Sequence, residues 1–301
     1  MAAQESRAQR GGVINLRDKA VPSAQLMIVG GELREHRIRL KLTLEEAAAT
    51  LNFSASKLSR METGHHKFKP RDVVGLCDVY RIGDPDERKR LLDLAAHASL
   101  RPWYQDWTDV AGKHLQAFMS FEQAAERIRI YEPHQLPGLM QTPDYARAVI
   151  EKGPRSIPSH EVDRLVELRL QRAERFSQSA PAKKLICVID EATLKRGFGN
   201  ERVMLRQFDR LIELAQQPTY HVRIAQLRQF NLPVMIGQTT ILRFAEQVLP
   251  DIVYSEHFGG ALLIQDKVQV DRWDKALTRL RSASLDRGRS LQLLRHLRKS
   301  F

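Results

Sequence analysis

Apolar side chains at Leu26, Val29, Leu33 and Leu40 recur at helical spacing, with Arg34, Arg37, Arg39 and Lys41 falling on other faces. Residues 1–25 show no such period and are expected to form a mobile basic arm. Thr43 followed three residues later by Glu46 is a capping box that opens a second helix. Asn52, which tolerates left-handed backbone, supplies a turn, and Ser54 caps a third helix. Gly83-Asp84-Pro85 breaks the chain before a Leu- and Ala-rich helix over Asp86–Ala98. These elements place an all-helical domain at 26–98.

An aromatic connector follows at 99–120, dense in Trp103, Tyr104 and Trp107. Its rings either dock one domain on the other or pack at the start of the second. Beyond it, helical patterns run through Phe121–Arg129, Pro143–Lys152, Glu161–Phe176, Glu201–Gln216, Val268–Leu280 and Asp286–Arg298. Short Ile- and Val-rich runs at Leu185–Ile189, His221–Gln226, Thr239–Phe244, Asp251–Ser255 and Ala261–Ile264 read as strands. The expected fold is multidomain: an N-terminal all-α domain plus a C-terminal α+β domain at 121–301. That second domain has about five strands, mostly antiparallel at its C-terminal end.

The 301 residues are 43% hydrophobic and 28% charged, which argues against wholesale disorder. No apolar run approaches the roughly 20 residues of a membrane span. The polar, basic stretch Met1–Ala24 lacks the apolar centre of a signal peptide. Cys77 and Cys187 sit in apolar patterns and read as buried thiols, so a cytoplasmic, nucleoid-associated protein is expected. The net charge of +12 and pI near 9.9 favour polyanions, nucleic acid first and anionic membrane second. Nine Lys/Arg against three Asp crowd Asp271–Phe301. The last helix there carries a Leu291, Leu294 and Leu297 stripe. It seals the domain, adds phosphate contacts or forms a dimer edge.

Charge matters most at 42–71. Two short helices must cross closely, and Ala47 and Ala48 are small enough to allow it. Leu51, Phe53, Leu58 and Met61 supply the apolar side, leaving Ala55, Ser56, Lys57, Ser59 and Arg60 outward on the second helix. That face suits a major groove: Ala55, Ser56 and Arg60 for bases, Lys57 and Ser59 for phosphates. Thr43 and the basic loop residues His66, Lys67, Lys69 and Arg71 are further phosphate candidates. The plainer alternative is a small helical bundle with a solvated polar helix, but it leaves the coincidence of cap, turn, anchors and basic loop unexplained. Adjacent His65 and His66 without further ligands do not make a metal site, and no cofactor is expected.

From Leu33 to Tyr80 the chain resembles the lambda-repressor/Cro (XRE) family, through Leu42-Thr43-Leu44-Glu45-Glu46-Ala47 and Ser54-Ala55-Ser56-Lys57-Leu58-Ser59-Arg60-Met61-Glu62-Thr63-Gly64. Leu44 stands where that family usually has a phosphate-contacting Gln, and Asn52 where it has a turn Gly. The resemblance implies a five-helix domain binding double-stranded DNA as a homodimer, on half-sites about 34 Å apart.

Pro137-Gly138-Leu139-Met140-Gln141-Thr142, followed by Tyr145-Ala146, and the later Leu249–Glu256 stretch resemble the C-terminal domain of actinobacterial antitoxin-like, WhiJ-like regulators. This resemblance implies transcriptional control, often beside a small partner protein encoded nearby. Asp190, Glu191 and Glu256 end strands, yet no nucleophile–base pair or phosphate loop accompanies them, so an enzyme is not expected. Glu122, Glu126, Tyr131, Gln141, Tyr145 and Glu256 are instead candidates for the polar lining of a small-molecule effector pocket. The expected function is a sequence-specific regulator with a sensing domain. The alternative is an antitoxin-like protein whose main role is to bind its small partner, with DNA binding for autoregulation.

Overall fold

The computed structural model describes residues 13–15, 23–153, 157–179, 182–229, 232–233, 236–245, 249–257 and 260–301. Five helices form the N-terminal domain: α1 (Ala24–Arg39), α2 (Leu44–Thr50), α3 (Ala55–Glu62), α4 (Pro70–Val79) and α5 (Pro85–Ser99). The Thr43–Glu46 capping box is formed, and Ser54 accepts from the Lys57 amide. Four of these helices end alike. Lys41, Asn52, Gly64 and Arg81 take positive φ, and the next amide in each case bonds back to the carbonyl of Arg37, Ala48, Arg60 or Cys77. This Schellman closure satisfies carbonyls that a helix end otherwise leaves open. Leu33, Leu58, Met61, Val73, Leu76 and Leu91 fill the core. At the α1–α3 crossing a Cβ on Gly30 would lie 2.3 Å from the Met61 carbonyl oxygen, so backbone meets backbone there.

A 3-10 turn at Trp103–Trp107 leads into α6 (Lys113–Ala124), β2 (Arg127–Glu132), α7 (Pro143–Glu151) and α8 (Ser159–Gln178). Then come β3 (Lys184–Asp190), α9 (Glu191–Arg196), α10 (Glu201–Gln216), β4 (Tyr220–Ala225), β5 (Thr239–Arg243), β6 (Ile252–His257), β7 (Gly260–Ile264), α11 (Lys267–Ala283) and α12 (Arg287–Arg298). With β1 (Val13–Asn15) the strands form one seven-stranded sheet, ordered β1-β7-β6-β5-β2-β3-β4. β2, β3 and β4 are parallel, each joined to the next by a helical crossover, while β5, β6 and β7 run antiparallel.

The α+β, multidomain class holds, with two strands beyond the five expected. The helix expected over Phe121–Arg129 ends at Ala124, because Arg127-Ile128-Arg129-Ile130 alternates with period two and pairs with β3 and β5. β1 falls inside the expected arm and pairs with β7; residues 1–12 and 16–22 of that arm lie outside the described residues.

Period two also sorts the sheet faces. Ile128 and Ile130 join Leu185, Cys187, Leu242 and Tyr254 in the larger core, under α6, α8, α10 and α12. Tyr131, Val188, Ile241 and Val253 face the other way, where α11 contributes Val270, Leu277 and Leu280. Both cysteines are buried and free. The connector's rings pack with Met119 of α6 and Leu168 of α8, and Trp107 Nε1 donates to Gln171 Oε1 at 2.8 Å. They pack at the start of the second domain, in a cluster of their own. The tail helix seals the domain: Leu294 and Leu297 are buried, and Arg287 donates to the carbonyls of Ala215 and Gln217.

Candidate nucleic-acid interface and interior cavity

The orientation of α3 is set from beneath. Leu58 and Met61 are fully buried, and Glu62 is 6% exposed. Its carboxylate accepts from Arg37 Nε at 2.6 Å and Nη2 at 2.9 Å, and from the Tyr80 hydroxyl at 3.4 Å. Arg37 Nη1 also donates to the Leu42 carbonyl at 2.7 Å. This buried fork ties α1, the α1–α2 turn, α3 and the end of α4 together. It holds the guanidinium above its ordinary pKa, chiefly through the hydrogen bonds to Glu62.

With that side pinned, Ser56 and Arg60 are exposed, and Ala55 and Ser59 are half-buried on the same helix. Arg60 makes one long contact, Nη2 to the His65 carbonyl at 3.5 Å, and is otherwise open to a partner. Lys67, Lys69 and Arg71 are exposed along the loop after Gly64, with His66 half-buried beside them. Lys67 Nζ donates to the Ser99 carbonyl at 3.2 Å, capping the end of α5.

Two expected phosphate contacts are otherwise engaged. Lys57 does not face outward: its Nζ lies 3.3 Å from the centroid of the Phe53 ring and 3.4 Å from Asp72 Oδ2, whose side chain is 4% exposed. It braces α3 against α4. The Thr43 hydroxyl accepts from the Glu46 amide and donates to the Glu46 carboxylate at 2.9 Å, so it is spent on the helix cap.

The C-terminal domain holds a cavity of about 130 Å³ between α6, α8, the 3-10 turn at Gly138–Met140 and the β2-β5-β6 region of the sheet. Of the six expected pocket residues, Glu122, Gln141 and Glu256 line it. The other three do not. Glu126 is exposed just ahead of β2, with its amide donating to the Arg243 carbonyl. Tyr131 is on the opposite sheet face, with its hydroxyl donating to Asp190 at 3.2 Å. Tyr145 is fully buried in the core, where its hydroxyl accepts from the Leu136 amide.

Residues that sequence reasoning missed complete the lining. Glu132 is 7% exposed; burial pushes its carboxyl up to about 8, with Gln238 Nε2 donating to it at 2.7 Å. Arg169 donates to Gln141 Oε1 at 2.7 Å, and burial brings its guanidinium down to about 10. Arg172 forms a two-pronged pair with Glu122, both contacts 2.9 Å. The missed signal for Glu132 was the strict alternation of β2, which sends Ile128, Ile130 and Glu132 to one face.

No described helix is long and apolar enough to cross a membrane. A helix-turn-helix domain model matches residues 28–91, so the N-terminal unit is of the kind that DNA-binding regulators carry. The model of a domain of unknown function, DUF5753, matches residues 115–296, more than half of the chain. Comparison with curated proteins found no match, and comparison with solved structures found none either. The chain thus belongs to the DUF5753 family, with a helix-turn-helix domain ahead of the family's defining domain.

Proposed function

We propose that the chain is a sequence-specific, XRE-type transcriptional regulator that inserts α3 into the major groove as a homodimer. The observation that carries this reading is the division of α3: Leu58, Met61 and Glu62 are buried, while Ser56 and Arg60 are exposed beside a basic loop. Arg60 reads a guanine, and Ser56 and Ala55 contact neighbouring base edges. Ser59, His66, Lys67, Lys69 and Arg71 hold phosphates, together with the amides at the start of α2 that Thr43 opens. Lys57 acts as a positioning residue through Asp72 and Phe53.

The C-terminal domain is the sensor, and its cavity takes a small effector. Two features support coupling. Glu122 and Phe118 of α6 line the cavity. The same helix receives α1, whose Ala24 amide donates to Ser120 Oγ at 2.8 Å and whose Met27 and Ile28 pack on the larger core. A ligand that shifts α6 therefore moves the helix that crosses α3. The WhiJ-like resemblance supports an additional role, binding of a small partner protein encoded nearby.

The test is footprinting on the gene's own upstream region, followed by anisotropy titrations. Arg60→Ala is expected to lower specific affinity by about 1–3 kcal/mol and to relax one base position. Unchanged operator affinity in that variant overturns the assignment of α3.

A further inference from the structure

The cavity's polar groups do not balance one another. Arg172 is fully matched by Glu122. Arg169, three residues earlier on α8, has a single side-chain bond to Gln141, and no described carboxylate is within ion-pair distance of it. A guanidinium carries five N–H donors, so most of Arg169's are unspent. Across the cavity Glu132 has, among the described residues, only the Gln238 amide as partner. Glu256, 45% exposed, has the His114 ring Nε2 at 3.9 Å and no described Lys or Arg within ion-pair distance. The Glu256 carboxylate acts on Arg169 through space.

Two further lining groups are orphans. The Tyr254 hydroxyl, on a residue 3% exposed, and Gln135 Oε1 are buried with no hydrogen-bond partner. Buried polar groups without partners cost free energy, so a site that keeps several is built for something to bond them.

We infer that this cavity binds a small zwitterion of amino-acid size, its carboxylate on Arg169 and its ammonium on Glu256 and Glu132. The inference rests on the sensor reading of the C-terminal domain. Size agrees: a water occupies roughly 10–15 Å³ of such volume, so 130 Å³ accommodates about ten water-sized heavy atoms. Apolar cover from Leu115, Phe118, Leu139 and Leu165 suits an aliphatic side chain. Charge agrees as well. With Glu132 protonated, Arg169 and Glu256 cancel, and a ligand with separated but equal charges preserves the balance. A simple anion or cation leaves one charge uncompensated.

The test is calorimetric titration of the full chain with L-amino acids of up to about ten heavy atoms. Each is paired with its des-amino acid and its decarboxylated amine, alongside a set of neutral polyols. At least one amino acid is expected to bind about tenfold or more tightly than either of its fragments. Arg169→Gln should erase its advantage over the amine. Glu256→Gln, at the exposed mouth, should erase its advantage over the des-amino acid, and this variant decides the matter if the first fails to fold. A fragment or polyol that binds as tightly as every amino acid overturns the zwitterion and leaves the sensor reading standing. Amino-acid binding that ignores the variants places the ligand elsewhere and also overturns the inference. No binding by any probe overturns the inference and the sensor reading together.

Discussion

Replacing Arg37 with Met removes the buried cation that orients α3 and leaves its apolar stem nearly unchanged. The two side chains of the pair are 9% and 4% exposed, so water screens little of the loss. Glu62 would keep only the Tyr80 hydroxyl at 3.4 Å, and the Leu42 carbonyl would lose its donor. Breaking one side of a buried pair costs about 3–5 kcal/mol, because the other charge stays desolvated and unmatched. Against a total stability of about 5–15 kcal/mol for a domain, this threatens the N-terminal unit as a whole. The tryptophans make the effect separable. Trp103, Trp107 and Trp273 all lie beyond α5, so their fluorescence reports the C-terminal domain, while far-UV ellipticity also reports α1 to α5. In urea, Arg37→Met should bring the first ellipticity transition down by about 2 M or more, with the fluorescence midpoint in place. Adding Glu62→Leu should recover most of the loss, since an apolar pair of similar volume is tolerated where a lone charge is not. If Arg37→Met alone costs less than about 1 kcal/mol, or the double variant is no better than the single, the fork does not carry the orientation of α3.

Other expectations are independent of that pair. Gly30→Ala puts a methyl 2.3 Å from the Met61 carbonyl oxygen, and neither backbone can yield cheaply; a loss of about 1–3 kcal/mol in urea melts, with weaker operator binding, is expected. Asn52→Val forces a β-branched residue to φ near +53°, which should cost about 1–2 kcal/mol by the same ellipticity assay. Glu132 gives a pH signature. Its carboxyl lies near 8 when folded, above its ordinary 4.5, so the folded state holds a proton that the unfolded chain releases. Its contribution is complete below about pH 4.5 and fades as pH climbs to about 8, with Gln238, Arg169 and Glu256 as the groups acting on it. Glu132→Gln keeps the neutral state throughout, so its stability relative to the parent should rise by roughly 3–5 kcal/mol between pH 4.5 and 8.5 in fluorescence-detected urea melts. Parallel pH profiles for the two proteins would mean that Glu132 is not held protonated.

The sequence by itself determined the pieces whose causes lie within a few residues. Thr43 and Glu46 cap α2, Ser54 caps α3 and Asn52 turns the chain between them, each through bonds spanning five positions or fewer. The apolar spacing of Leu58 and Met61 likewise decided which side of α3 could face outward. β2 was legible too, in its alternating Arg and Ile, but the helical run before it masked the change of period, and that put Tyr131 among the expected pocket residues and left Glu132 out. What only the tertiary structure decided depends on partners far along the chain. Arg37 reads as one more surface cation until Glu62, 25 positions on, is folded beneath it. Lys57 reads as a phosphate contact until Asp72 and Phe53 claim it. Glu132 meets Gln238 across 106 positions, and the cavity around them exists only where two helices, a turn and three strands converge. Caps and periodicity are properties of neighbouring residues, whereas the burial of a charge is a property of everything that surrounds it.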